Sequence, residues 1–286
     1  MIAPAFGVLF DGFAYGMLLF LLSVGLSVTL GMMNFVNLAH GSFAMLGAYV
    51  VVTLMGMGWP FFATLPCAFI VAAVVSVAFE RSLFRRLYRA SDLRQVLMTL
   101  GLAFISVAAA AWFYGTMQQP VRLPAYLRSY VTFIGVNFSI YRMFLIAVAL
   151  AITVLLVATL EYTRFGAQVR AAVDNQRMAE GLGIDVDGVF AVTFAVGSGL
   201  AGLGGALAIE IVGLDPNFAF TYLIYVLIVV AVGGLGSIRG SLLAAIVLGV
   251  SDAAGKYYIP TLGAFLIYLV MVGMMLWRPS GLFGRR

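Results

Sequence analysis

The stretch Glu161–Asp187, EYTRFGAQVRAAVDNQRMAEGLGIDVD, decides how the chain is read. It is the longest polar island in a sequence dominated by apolar runs. It holds eight charges, Arg164, Arg170 and Arg177 against Glu161, Asp174, Glu180, Asp185 and Asp187. A centrally placed Arg or Asp costs roughly 2.5–3.5 kcal/mol in hydrocarbon even on a lenient insertion scale. The island therefore lies in water, at one face of a membrane protein. Within it, Phe165, Val169, Ala172 and Val173 recur at the period of one helix face. Asp174-Asn175 then offers side chains suited to capping a new helix. The segment Gln176–Leu182 makes about two turns at 3.6 residues each, with Met178, Ala179 and Leu182 on one side. Gly181 and Gly183 supply stop positions. The result is a short helix with an exposed apolar edge between two membrane spans, either a solvated connector or a knob for the groove of a cytoplasmic partner.

Composition points the same way. With 64% hydrophobic and 9% charged residues in 286, and a mean hydropathy of +1.10, the expected class is an all-α polytopic membrane protein. A β-barrel shows weak alternating segments instead of long unbroken apolar runs. The first basic residue is Arg81, so no charged region precedes the opening apolar run and no cleavable signal peptide is expected. The single Cys67 reads as small apolar packing. A pI near 9.5 reflects basic loops on one side of a membrane rather than a nucleic-acid partner. Residues 1–286 read as one transmembrane domain carrying the cytoplasmic loop 161–187.

Apolar segments of spanning length fall at roughly 6–32, 41–57, 60–80, 96–116, 141–160, 188–210, 222–235, 240–255 and 262–277. The seventh and eighth are short and meet at a glycine-rich join, so eight or nine spans are expected. Arg81, Arg85, Arg86, Arg89 and Arg94 outweigh Glu80 and Asp92 in the loop after the third segment, which assigns that loop to the cytoplasm. Two further crossings return the chain to that side at Glu161, and the N-terminus falls outside. Arg278, Arg285 and Arg286 reach the cytoplasm only if 222–255 runs there and back. Arg122 and Arg128, in the presumed outer loop 117–140, count against this orientation.

Two segments look interrupted or re-entrant. Gly31–Ser42 places Asn34, Asn37, His40 and Ser42 between apolar runs, with Gly41 beside them. Polar groups at membrane depth face a cavity or a partner helix; the plainer reading is an interfacial turn in which Asn37 and His40 cap helix ends. The second segment, Gly233-Gly234-Leu235-Gly236-Ser237-Ile238-Arg239-Gly240, combines a Gly236/Gly240 close-approach spacing with a glycine density that unwinds helices. Asn34, Asn37, His40, Gly41, Gly233, Gly234, Gly236, Ser237 and Gly240 are the candidates for a translocation pathway. Gly197, Ala201, Gly202 and Gly205 form small-residue stripes for helix packing, within the chain or against a second subunit.

A pathway needs a driving force. The chain has no Gly-Lys-Ser/Thr phosphate loop, so no ATP site and no other cofactor or metal is expected in it. Its few acids, Asp11, Glu210, Asp215 and Asp252, fall near span ends rather than mid-span, where ion-driven carriers keep them. Lys256 follows Asp252 at the spacing of a helical ion pair. An external motor gripping the polar island remains.

The run RAAVDNQRMAEGLGIDVDGVFAVTFAVGSGLAG resembles the coupling region of permease subunits in branched-chain amino-acid ABC importers. GMMNFVNLAHGSFAMLGAY is similar to that family's Gly-Met-x-Asn-Phe-Ala-His-Gly signature, and GGLGSIRGSLLAAIVLG and WRPSGLFGR resemble it too. The matches run in order from about residue 12 to the C-terminus. One departure is Val36-Asn37-Leu38, inserted before Ala39-His40, so the family's Asn corresponds to either Asn34 or Asn37. The resemblance implies a LivH-like, non-enzymatic subunit of the bacterial inner membrane. Its implied partners are a second, related permease, two cytoplasmic ABC ATPases and a periplasmic solute-binding protein that supplies most of the specificity. It makes Asp174–Gly183 the coupling helix. Met178, Ala179 and Leu182 then fill the ATPase groove, Arg170, Asp174 and Arg177 set register, and Asn175 and Gly183 bound the element.

Related importers of urea, short amides, other amino acids or aromatic acids share these motifs. From other classes, an ion-coupled carrier predicts transport by the isolated chain. An intramembrane hydrolase lacks a convincing partner for His40, since Ser42 is too close in sequence and there is no nucleophile elbow. The topology is checked by a reporter fused to the C-terminus, expected to be active in the cytoplasm; activity confined to the periplasm removes the 222–255 hairpin.

Overall fold

The computed structural model describes residues 2–33, 35–88, 90–121, 123–133 and 136–284; Asn34, Arg89, Arg122, Arg285 and Arg286, used in the sequence reading, lie outside the described residues. In chain order the helices are α1 (Ile2–Met33), α2 (His40–Gly56), α3 (Phe61–Ser82), α4 (Asp92–Tyr114), α5 (Ile140–Tyr162), α6 (Arg164–Asp174), α7 (Gln176–Gly181), α8 (Val186–Val212), α9 (Phe218–Gly233), α10 (Ile238–Tyr258) and α11 (Gly263–Trp277). Every apolar segment marked in the sequence is a helix within a few residues of its expected limits. By length and composition α1, α3, α4, α5, α8 and α10 are able to cross a membrane, and α2, α9 and α11 are shorter apolar helices among them. The all-α expectation has one exception. Strands β1 (Tyr130–Phe133) and β2 (Val136–Ser139) form an antiparallel hairpin before α5, with Tyr130 opposite Ser139. It is held to α1 by the Phe138 ring, 4.9 Å from that of Phe10 and edge-on to it.

The core is built around α8, which packs against α1, α2 and α3. Its sequence is rich in Gly and Ala because helices in lipid gain little from hiding apolar side chains and associate through close backbone packing. A Cβ on Gly205 would stand 1.9 Å from the Ala44 carbonyl oxygen, and one on Gly202 would meet Ala72 at 2.5 Å. Gly197 faces Gly25 of α1 across a similarly tight crossing, and Ala201 is wholly buried. All four small residues singled out on this helix therefore face neighbours within the chain. The same device joins α1 to α10, where a Cβ on Gly249 would lie 2.3 Å from the Gly16 nitrogen.

The two ends of the bundle differ chemically. One gathers Arg81, Arg85, Arg86, Arg94, Arg164, Arg170, Arg177, Arg239 and Arg278 with α6 and α7. Ion pairs Arg85–Asp187 and Arg239–Glu161 join helix ends there. The opposite end carries Arg128, Arg142 and Lys256 with the hairpin.

Overpacking such a crossing costs about 1–3 kcal/mol or more. Gly205→Leu should therefore lower the thermal unfolding midpoint in detergent. Gly101→Leu, at a glycine whose added Cβ meets nothing within 4 Å, should leave it near wild type.

Candidate coupling element and buried break

The polar island folds into two short helices set by side-chain caps. The Thr163 hydroxyl accepts from Gly166 N–H at 3.2 Å to start α6, which buries Gly166, Val169 and Ala172. The Asn175 side chain accepts from Met178 N–H at 3.0 Å to start α7. Gly183, at φ +83°, ends the element where an L side chain would be strained, and the Asp185 carboxylate then caps α8 through Gly188 N–H at 3.0 Å. Two details of the sequence reading are corrected. Helix α7 ends at Gly181, with Leu182 as its cap rather than its last turn. Ala179 does not share the outer edge with Met178 and Leu182: it is 2% exposed, in contact with Ala172 and Val186, whereas Met178 is 69% and Leu182 80% exposed. A helix this short presents its smallest side chain to the tightest neighbour. Arg177 is exposed, and Arg170 turns back to donate to the Leu160 carbonyl.

The glycine cluster is not an unwound stretch inside a span; it is the turn between α9 and α10. Gly234 and Gly236 take φ of +93° and +77°, which reverses the chain, and the Ser237 hydroxyl caps α10 through Gly240 N–H at 3.0 Å. The C-terminal tail covers the turn, with Leu282 N–H donating to the Val232 carbonyl at 2.8 Å and Phe283 N–H to that of Gly233 at 3.2 Å. Gly31, Arg170, Asp174, Gly236, Ser237 and Arg239 line one groove of about 420 Å³. Pathway and coupling candidates thus meet at the basic end. Asn37, His40 and Gly41 are elsewhere. His40 bonds to Leu22, nine residues or about 13 Å along α1 from Gly31.

The other interruption is a true break. After α1 the chain turns inward through 35–39 and restarts as α2 among packed side chains. Non-helical backbone at this depth is tolerated only where protein satisfies it. Here α4 does so: Gln95 Oε1 accepts from Val36 N–H at 3.0 Å and Thr99 Oγ1 from Leu38 N–H at 3.1 Å. Asn37 Oδ1 takes Ala39 N–H at 3.0 Å, and Phe35 is wedged against Phe84 and Tyr88, each ring centroid 5.4 Å away. His40 caps no end of its own helix. Its Nε2 lies 2.9 Å from the Leu22 carbonyl, which can only accept, so that nitrogen carries the proton. His40 is 1% exposed, and Gly41 lies against the Ala219 carbonyl. In the loop beyond α3, Tyr88 donates to Glu80 at 3.0 Å; burial, then that carboxylate, raises the phenol above its ordinary range. The sequence reading passes over Gln95 and Thr99, although two amide- or hydroxyl-bearing residues one helical turn apart, at the head of an apolar run, are a usable signal.

Comparison with known proteins gives a consistent picture. A family model described as "Branched-chain amino acid transport system / permease component" matches residues 8–275. The chain is 27% identical to the high-affinity branched-chain amino acid transport system permease protein LivH of Salmonella typhimurium, covering 97% of this chain and 94% of that protein. It is 25% identical to BraD of Pseudomonas aeruginosa, a permease protein of the same kind of system, over 97% and 95%. The permease protein LivM of Salmonella typhimurium is 27% identical, over 93% of this chain and 68% of its own length.

Gln95→Leu strands the Val36 N–H in a half-buried site, which costs about 1–3 kcal/mol. The thermal midpoint should fall accordingly, while Gln118→Leu, in the exposed loop after α4, should not change it.

Proposed function

The chain belongs to the branched-chain amino-acid transport system permease family, and on that footing we propose that it is the membrane-spanning subunit of an ATP-driven importer for branched-chain or similar hydrophobic amino acids. It lies in the bacterial inner membrane as a single domain, residues 1–286. The nine apolar helices all cross, the basic end with loop 161–187 faces the cytoplasm and the N-terminus faces out. The asymmetry of Arg between the two ends supports this orientation. Its partners are a second, related permease, two cytoplasmic ABC ATPases that bind and hydrolyse the ATP, and a periplasmic solute-binding protein. Similarity to both LivH and LivM supports the permease pair.

The single observation that carries the coupling role is the pair Met178 and Leu182. Both stand out from a capped helix at the basic end, in a loop that carries eight charges. Exposed apolar side chains on such an element fit a helix-in-groove contact with an ATPase. Asp174, Asn175 and Gly183 shape the element, and Arg170 and Arg177 set its register. Ala179 acts from beneath, seating α7 on α6 and α8. When the ATPases close on ATP, α7 is displaced and access to the pathway alternates between the two faces. Asn37, His40, Gly41 and the α9–α10 turn brace the helices that move, and Ser237 and Gly236 sit beside the coupling element.

Leu182→Asp tests this reading. The variant should insert and assemble as wild type, while solute-dependent ATP hydrolysis in the reconstituted complex falls to background. Normal coupling would remove α7 from the role.

A further inference from the structure

At the end of the bundle opposite the coupling element, five helices line an open cavity of about 560 Å³. Helix α1 contributes Asp11 and Tyr15, α5 Arg142, α8 Ile211, α9 Tyr222 and Tyr225, and α10 Asp252 and Lys256. Its charges come as two ion pairs. Arg142 pairs with Asp11, and Lys256 Nζ lies 2.6 Å from Asp252 Oδ2. The Lys256 ammonium also stands 5.6 Å from the centre of the Tyr15 ring. Asp252 is 4% exposed.

The Arg142 and Asp11 side chains are 32% and 49% exposed and that of Lys256 58%, so solvent screens these pairs and they add little net stability. They stand near the ends of their helices, where a solute arriving at this end of the bundle meets them first. The set is electroneutral, so a solute with net charge would leave one partner uncompensated. A zwitterion would not. Its carboxylate pairs with Arg142 or Lys256, and its ammonium with Asp11 or Asp252, with the tyrosine faces offering further cation–π contact. An aliphatic side chain finds Val8, Ile211 and Val212 among the lining residues.

We propose that this cavity is a transit site in the permease itself for a small zwitterionic amino acid with an aliphatic side chain. The inference rests on the importer reading above and extends it. The solute handed over at this end is held by the two ion pairs before it moves on.

The test is equilibrium binding of labelled L-leucine to the assembled complex in nanodiscs, with the solute-binding protein omitted. Wild type should bind saturably. The double variant Asp252→Asn, Lys256→Met removes a pair without leaving a lone charge and should bind at least tenfold more weakly. Thr221→Trp, which fills the cavity from an exposed lining position and touches no charge, should do the same. Unlabelled L-leucine should compete, and L-leucinamide, which lacks the carboxylate, should not. Absence of saturable binding to wild type, binding unchanged in either variant, or equal competition by L-leucinamide overturns the site. ATP-dependent leucine uptake by wild type in proteoliposomes, measured alongside, separates the failures. Uptake without the site sinks this inference alone, whereas absence of uptake sinks the reading beneath it.

Discussion

Backbone-to-backbone contact at glycine is the constraint on which the structure depends. In hydrocarbon, leucine on one helix is no better off against another helix than against lipid, so the stabilising term is the dispersion gained when two backbones come together without side chains between them. Gly25 against Gly197, Gly47 against Gly202, Gly205 against Ala44 and Gly249 against Gly16 are four such contacts, at three helix crossings. Three involve α8, and through α1 the fourth fixes α10. Remove the closeness and nothing apolar replaces it, because the outer faces of α3, α4 and α5 already carry exposed Ile70, Val74, Phe104, Ile105, Val154 and Leu155.

The break between α1 and α2 follows from this closeness. Because α2 presses on α8 along Ala44 and Gly47, it must start deep in the bundle rather than at its edge, and the chain has to re-enter the interior to reach that start. Re-entry exposes backbone donors, and Gln95 and Thr99 of α4 meet two of them. Helix α4 has few close neighbours otherwise, which makes these polar contacts an important part of what seats it.

The nine apolar helices were legible in hydropathy alone, since chain length in hydrocarbon admits few alternatives. The α6–α7 element was legible too, because Asn175 and Gly183 are local signals with local consequences. What failed to show was set by neighbours distant in sequence. Ala179 faces inward because Ala172 and Val186 receive it, and six residues of helix carry no periodicity strong enough to say so. The glycine cluster has one composition for two structures, an unwound span or a turn. The choice lies in the φ of Gly234 and Gly236 and in the tail bonds from Leu282 and Phe283. The hydrogen bond from His40 to Leu22 and the Arg142–Asp11 pair join residues that no spacing rule connects. The lysine–aspartate pair in α10 was legible, being one turn apart on one helix; that it shares a cavity with Asp11, Arg142 and four tyrosines was not.

The small apolar knot of Ala172, Ala179 and Val186 has a mechanical consequence. Two methyl groups and one isopropyl group in contact leave little compliant material between α6, α7 and the first turn of α8. A displacement of α7 would therefore pass to α8. Because α8 packs closely against α1, α2 and α3, it would reach most of the bundle at once.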